Sequence, residues 1–182
     1  MMVNIENAKK IEGWMKEEEL LWLGYQAMRH KRILEVGSWM GRSTRSLCDN
    51  CPGGRITAVD SWDGTPGEHE KLLEGKHKDW LYFQFRTNMH DVRNLSVYRG
   101  QSKAVLAKLD AIGKKFDFIF IDGDHSYEGC KSDIKGCLKL LDPGGVISGH
   151  DFSSSFPGVV RAVKEAFPKA RPARAGSIWV ME

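Results

Sequence analysis

No stretch of these 182 residues approaches the roughly 18 consecutive apolar residues that a membrane span needs, so a transmembrane helix is excluded at the outset. The first ten residues, Met1 to Lys10, are polar and have no signal-peptide apolar region, which leads us to expect a cytoplasmic protein. Long basic runs are missing as well. The formal charge of +3 comes from interspersed Lys/Arg and Asp/Glu, so nothing marks a nucleic-acid surface, and we expect no nucleic-acid partner. Cysteine is scarce, at four residues: Cys48 and Cys51 form one CxxC, and Cys130 and Cys137 stand seven apart. A structural zinc site asks for four converging ligands, and the second CxxC is absent. A thioredoxin-like motif opens a helix, whereas Cys48 and Cys51 close one and run into Pro52-Gly53-Gly54. These cysteines read as small core residues in a reducing compartment, with Cys51 at a turn. With 41% of residues hydrophobic, the chain fills one core of ordinary size, and a single domain over residues 1–182 is expected.

What is present is alternation. Ile11, Trp14, Met15, Leu21, Trp22, Tyr25 and Met28 recur at helical spacing and predict one amphipathic helix from about residue 8 to 29, within an N-terminal helical segment 1–30 that covers the cofactor side. Short apolar runs at Ile33–Val36, Ile56–Val59, Leu95–Tyr98 and Phe116–Ile121 read as strands, the last one buried on both faces. Helices are predicted between them at Ser43–Asp49 and Ser102–Leu109. A further stripe of Tyr127, Cys130, Ile134, Cys137, Leu138 and Leu141 ends at the turn Asp142-Pro143-Gly144-Gly145, with Val146–Ser148 extended after it. Gly158–Phe167 reads as a last helix and Ser177–Met181 as a last strand returning antiparallel. Strands alternating with helices of this length indicate an α/β fold, a parallel sheet covered on both faces in a Rossmann-like three-layer sandwich.

One segment breaks the rhythm. Between Asp60 and Leu95 the chain is longer than a helix and two loops require. Two readings stand for this insertion, 61–94. Its aromatics pack on the sheet from a helix near Asp79–Asp91, or the segment is a lid over an acceptor pocket, with Gly64 to Gly75 closing when an acceptor binds.

In an open α/β sheet, ligands sit at the carboxyl ends of the strands. The first strand ends in Glu35-Val-Gly37-Ser38-Trp39-Met-Gly41-Arg-Ser43, where two glycines let the backbone turn and approach a ligand. The spacing is GxxxGxS, not the GxGxxG that a dinucleotide pyrophosphate asks for. Glu35 suits the ammonium group of an amino-acid cofactor, and Asp60, ending the second strand, suits a ribose diol.

These residues resemble a known family. Glu35 to Ser43, Ala58 to Trp62 (AVDSW), Phe116 to Glu128 (FDFIFIDGDHSYE) and Leu141 to Asp151 (LDPGGVISGHD) look like the class I S-adenosylmethionine-dependent methyltransferases, and more narrowly the macrocin-type and catechol-type O-methyltransferases. The resemblance runs from about residue 30 to 165. It implies a mostly parallel seven-stranded sheet with a terminal antiparallel strand. It also implies S-adenosylmethionine as cofactor, with Gly37 to Gly41 at its methionine moiety, Asp60 at its ribose, Gln101 and Ser102 at its adenine, and Glu35, Ser43, Ser61, Trp62 and Asp122 among the other cofactor-binding residues. The passage Lys169 to Ala175 is short and rich in Pro and Arg where the pattern has its sixth strand.

Methylating a hydroxyl requires a base or a metal, and Asp122, Asp124, His125, His150 and Asp151 follow two neighbouring strands. We expect Asp122, His150 and Asp151 to hold magnesium or manganese and His125 to accept the acceptor's proton. His150 stands where metal-dependent relatives carry an acid or amide, which favours manganese or another transition ion. The alternative is that Asp122 contacts only the cofactor, that His125 caps the helix at Ser126, and that His150 and Asp151 form a turn. At the level of the whole protein, a non-catalytic S-adenosylmethionine or nucleotide binder and an NAD-dependent oxidoreductase also stay open. The expected partner is a small-molecule methyl acceptor, with a homo-oligomer allowed.

Overall fold

The computed structural model describes residues 2–65 and 69–181. Seven strands form one sheet: β1 (Arg32–Val36), β2 (Arg55–Asp60), β3 (Leu95–Arg99), β4 (Phe116–Ile121), β5 (Leu141–Gly149), β6 (Arg171–Pro172) and β7 (Trp179–Met181). Their order is β3-β2-β1-β4-β5-β7-β6. The pairs from β3 to β5 are parallel, and β7 runs antiparallel to both neighbours, so the fold is the Rossmann-like sandwich that the alternation predicts. The order reverses between β1 and β4, and it is beside this switch that such sheets open a crevice.

Side-chain alternation distributes the core. Along β4, Ile119 and Ile121 join Leu34, Val36 and Ile147 under α6 (Ser102–Ala111), α7 (Tyr127–Leu138) and α8 (Pro157–Ala166). Phe118 and Phe120 join Ile33 and Ile56 under α1 (Glu6–Lys9), α2 (Glu17–Arg29) and α3 (Arg42–Asp49). A strand apolar on both faces is what a two-sided sandwich requires of its central position. All four cysteines are buried and free, as small core residues.

The N-terminal segment departs from expectation. Instead of one helix over 8–29 there are two, α1 and α2, broken around Gly13 at φ 158. The buried face of α2 is Leu20, Leu23 and Ala27, while Trp14 is 66% and Tyr25 58% exposed and Leu21 is exposed as well. Two apolar stripes lie on this helix, and periodicity alone did not say which one meets the sheet. Leu138 is likewise exposed at the end of α7, and Leu141 belongs to β5. The turn expected at 142–145 is an irregularity within β5: Leu141 pairs with Phe116 and Val146 with Phe118, so the extra residues bulge out and pairing resumes. The Pro- and Arg-rich passage yields the two-residue edge strand β6.

The insertion contributes α4 (Glu70–Leu73) and α5 (Trp80–Asn88), and residues 66–68, inside the expected lid, lie outside the described residues. Its second half is core. Leu81, Phe85 and Met89 bury against Ile11, Met40, Ala58 and Trp62. Arg45 binds both oxygens of Asp91, at 2.6 and 3.0 Å, and Asn88 donates to the Met40 carbonyl at 2.8 Å. The packing reading therefore describes 80–92.

Candidate active site

The loops after β1, β2, β4 and β5 are joined edge to edge. Gly37 N–H donates to the Val59 carbonyl at 2.9 Å, Asp122 N–H to Val36 at 2.7 Å, and His150 N–H to Ile121 at 3.0 Å. A Cβ on Gly37, at φ 87, would lie 1.9 Å from the Asp122 carbonyl oxygen, so only glycine lets the first loop run against the end of β4. Among the described residues, three non-glycine positions take left-handed backbone, Trp39 (φ 49), Trp62 (φ 55) and Asp151 (φ 59), and each lies in the loop after β1, β2 or β5. Such strain costs of order 1–3 kcal/mol per residue and gathers where geometry matters to function.

Glu35 and Asp60 hold these loops in shape. Glu35 is fully buried, and its Oε2 accepts from Ser38 Oγ at 2.7 Å and Thr44 Oγ1 at 2.5 Å, while Oε1 has no hydrogen-bond partner among the described residues. Burial pushes its carboxyl up to about 7, against the pull of the Ser43, Thr44 and Ser38 hydroxyls. Asp60 Oδ2 accepts the amides of Ser38 and Trp39, both at 2.8 Å, and Oδ1 that of Trp62 at 2.7 Å. Burial raises its carboxyl while these amides oppose the rise. Trp62 Nε1 donates to the Trp39 carbonyl at 2.7 Å, and Asp63 N–H to Ser61 Oγ at 3.2 Å. Gln101, exposed, precedes α6, and Ser102 Oγ donates to Asp133 Oδ1 at 2.5 Å. Gly41, at φ 93, precedes α3. The residues expected to meet the cofactor thus include several that first secure one another. Glu35 Oε1, a buried acceptor with no hydrogen-bond partner among the described residues, fits a cationic amine in its donor chemistry.

The ionisable cluster lies at the ends of β4 and β5. His125 Nε2 is 3.0 Å from Asp151 Oδ2 and 3.9 Å from Asp122 Oδ1. His150 Nδ1 is 3.3 Å from Asp151 Oδ1 and 3.6 Å from Asp122 Oδ1. Asp122, His125 and Asp151 each offer a ligand atom within 4.8 Å of the others; His150, expected in this set, is not part of that group, although its Nδ1 faces both acids. Two oxygens with one or two imidazole nitrogens fit a borderline divalent ion better than magnesium. Asp124 is not part of the cluster: it is exposed and accepts the Ser126 amide at 2.8 Å. Ser126 itself caps α7, accepting from Gly129 at 3.0 Å, so that helix is not capped by His125.

Burial alone would lower both histidines, but the carboxylates win. Asp122 and Asp151 raise His125 to about 11, and Asp122, Asp151 and Glu19 raise His150 to about 10. In return, the two imidazoles pull Asp151 well below the usual carboxylate range against its burial. Both shifts favour the charged rings at neutral pH, so His125 has to release a proton before it can act as the expected base: a cationic imidazole has no lone pair to offer. Glu19, on α2, was not foreseen. It is one of three consecutive glutamates, and nothing in that run distinguishes the inward-facing one from its solvated neighbours. Arg42 was missed as well, because its partners lie in the N-terminal segment. Its guanidinium ties the first loop to the carbonyls of Met15, Lys9 and Ile11.

Among known proteins, the family model described as Methyltransferase domain matches residues 34–152. A curated relative, the uncharacterized protein R132 of Acanthamoeba polyphaga mimivirus, is 25% identical over 119 residues, 65% of this chain and 50% of its own length. The chain thus spans about half the length of that relative. Solved structures with this fold include the cofactor-bound Rv0187 protein from MTB, at TM-score 0.68 and 19% identity, covering 97% of this chain and 84% of that one. The O-methyltransferase from Bacillus cereus in complex with SAH aligns at TM-score 0.66 and 20% identity over 96% and 84%. TomG from Streptomyces achromogenes, an O-methyltransferase involved in tomaymycin synthesis and solved with SAM, aligns at 0.67 and 16% over 92% and 79%.

Proposed function

The chain belongs to the Methyltransferase domain family, and we propose that it transfers a methyl group from S-adenosylmethionine to a hydroxyl of a small-molecule acceptor, a sugar or similar natural-product-like compound, with a divalent ion assisting. The observation that carries this reading is that both halves of the chemistry stand at the carboxyl ends of neighbouring strands. The first loop, with Glu35 beneath it and Asp60 beside it, faces the Asp122–His125–Asp151 cluster across the β1/β4 switch. O-methyltransferases with this fold, one solved with SAH and one with SAM, support the same reading.

When bound, the cofactor supplies an electrophilic methyl: an oxygen–carbon bond forms as the carbon–sulfur bond breaks, its electron pair staying on sulfur. The protein's share is to orient and to manage a proton. The Gly37–Gly41 loop and Asp60 hold the cofactor. Asp122 and Asp151, with His150 beside them, would hold the ion, which would lower the pKa of an acceptor oxygen while His125 Nε2 stays off it. His125 Nε2 takes the hydroxyl proton, and to do so it must first lose the proton that the two acids hold on it. A second positive charge among those acids favours that loss.

S-adenosylmethionine and its demethylated product should raise the unfolding midpoint, and NAD should not, because only a ligand of the folded state shifts it. Tighter binding of NAD in calorimetry overturns the cofactor. With a turned-over acceptor in hand, excess chelator should abolish the rate while leaving cofactor affinity intact, and full turnover in chelator removes the ion from the reaction. Without a divalent ion, any residual rate should climb with pH toward the His125 value of about 11, and added Mn2+ should move that limb downward.

A further inference from the structure

The ring of His150 is held from behind by a residue 131 positions away in sequence. Glu19, in the first turn of α2, has a side chain only 3% exposed. Its Oε2 accepts the Lys16 amide at 2.7 Å, which is ordinary capping of the helix start. Capping needs one oxygen. The other, Oε1, turns inward and meets His150 Nε2 at 2.9 Å and the Ser177 amide at 2.9 Å, with Ser177 Oγ at 3.3 Å.

The backbone before β7 is shaped to permit this. Gly176 has φ 53, and a Cβ there would stand 2.0 Å from Glu19 Oε1, so glycine is needed for the chain to pass close enough that the Ser177 amide reaches the carboxylate. Three elements distant in sequence, α2, the end of β5 and the approach to β7, therefore converge on one oxygen. A carboxylate at Nε2 fixes which nitrogen carries the proton and which way the ring faces. With Nε2 directed to Glu19, it is Nδ1 that lies 3.3 Å from Asp151 and 3.6 Å from Asp122.

From this convergence we infer that Glu19 is a positioning residue: it holds His150 with Nε2–H turned away from the crevice, so that Nδ1 completes a divalent-cation site with Asp122 and Asp151. The inference rests on the metal-assisted reading above and adds a requirement to it, since that reading survives if His150 contributes nothing. A glutamine at 19 keeps the volume but is neutral, and it can turn its NH2 toward Nε2, which favours the opposite tautomer.

The test is Mn2+ binding followed by calorimetry and by the electron-paramagnetic-resonance signal of free Mn2+, on wild type, Glu19→Gln and Glu19→Asp, with S-adenosylhomocysteine affinity measured beside it. Glu19→Gln should weaken Mn2+ about tenfold to a hundredfold, the usual effect of removing a carboxylate behind a ligating histidine. Glu19→Asp should recover part of that loss, and S-adenosylhomocysteine affinity should stay at the wild-type value in both. Equal Mn2+ affinity in wild type and Glu19→Gln overturns the role of Glu19 and leaves the metal reading standing. A wild-type protein that binds no Mn2+ overturns both. The tautomer is read without any substitution, from the ring-nitrogen shifts of His150 in the Mg2+- or Zn2+-loaded wild type. Protonated Nε2 is expected, and protonated Nδ1 overturns the inference.

Discussion

At the scale of single residues, Asp60 shows how one carboxylate serves both architecture and binding. Three amides from two loops converge on it, so Asp60→Ala leaves buried donors without a partner and should cost at least about 1–3 kcal/mol of stability. Asp60→Asn keeps an acceptor oxygen and should fold at smaller cost, while losing most of the thermal shift given by S-adenosylmethionine. A full shift in the asparagine variant removes Asp60 from cofactor binding. Glu35 carries a different prediction. Its folded value of about 7 lies above the ordinary glutamate value, so the folded state binds more protons than the unfolded one between about pH 4.5 and 7. The associated stability is present below that window and is lost as pH rises through 7. Glu35→Gln, which still accepts from Ser38 and Thr44, should lose this decline and be the more stable protein at pH 8. Parallel pH–Tm curves for wild type and variant contradict the assignment.

At the scale of elements, the insertion 61–94 divides into parts of unequal stability. Helix α5 carries Leu81 and Phe85 into the third apolar cluster, and the Arg45–Asp91 pair ties its exit to α3. The preceding residues 69–78 bury none of their side chains fully, although the His69 ring lies tilted against Trp39 at 4.3 Å between ring centroids. Amide exchange should therefore be fast across 69–78 and slow across 81–89, and ligand binding should slow only the former. Equal protection of both in the free protein makes the entire insertion a rigid part of the fold. The sequence announced an excursion here by its length. It offered the division as one of two readings, a packed helix near Asp79–Asp91 after a polar stretch, and left the choice open because Leu81, Phe85 and Met89 become core only through contact with Ile11 and Met40, residues from other segments.

At the scale of the whole molecule, the buried ion network at the crevice should set the pH range in which the metal-free protein is most stable. His125 and His150 are raised to about 11 and 10, so their contribution is complete below their unfolded value near 6.5 and is lost as pH climbs through 10 and 11. Glu19, lowered to about 2, contributes fully above its unfolded value near 4.5 and loses that contribution as pH falls toward 2. The two limbs leave a maximum between about pH 4.5 and 6.5. Thermal unfolding across pH should show it, and His150→Gln should flatten the alkaline limb. An alkaline limb unchanged in that variant places the stabilising charge elsewhere.

The sequence by itself determined the sheet and the addresses of its loops. Strand and helix periods, the glycines at 37 and 41 and the acids closing β1, β2 and β4 are local signals, written in spacings a few residues long. So the class of fold and the neighbourhood of Asp122, His125, His150 and Asp151 were legible in the chain itself, though not which histidine stands closest to both acids. Tertiary structure decided which face of α2 is buried, that β5 absorbs the Asp142–Gly145 turn as a bulge, and that 80–92 is core. It also decided the electrical state of the site. Spacing placed His125 and His150 near two acids, but a histidine's charge depends on distances of 3 to 4 Å summed over every neighbour, one of which, Glu19, arrives from 131 residues away. Charge and orientation belong to the packed whole, because Coulomb energy inside a protein is set by separation in space and by burial, and neither is written in any one segment of the chain.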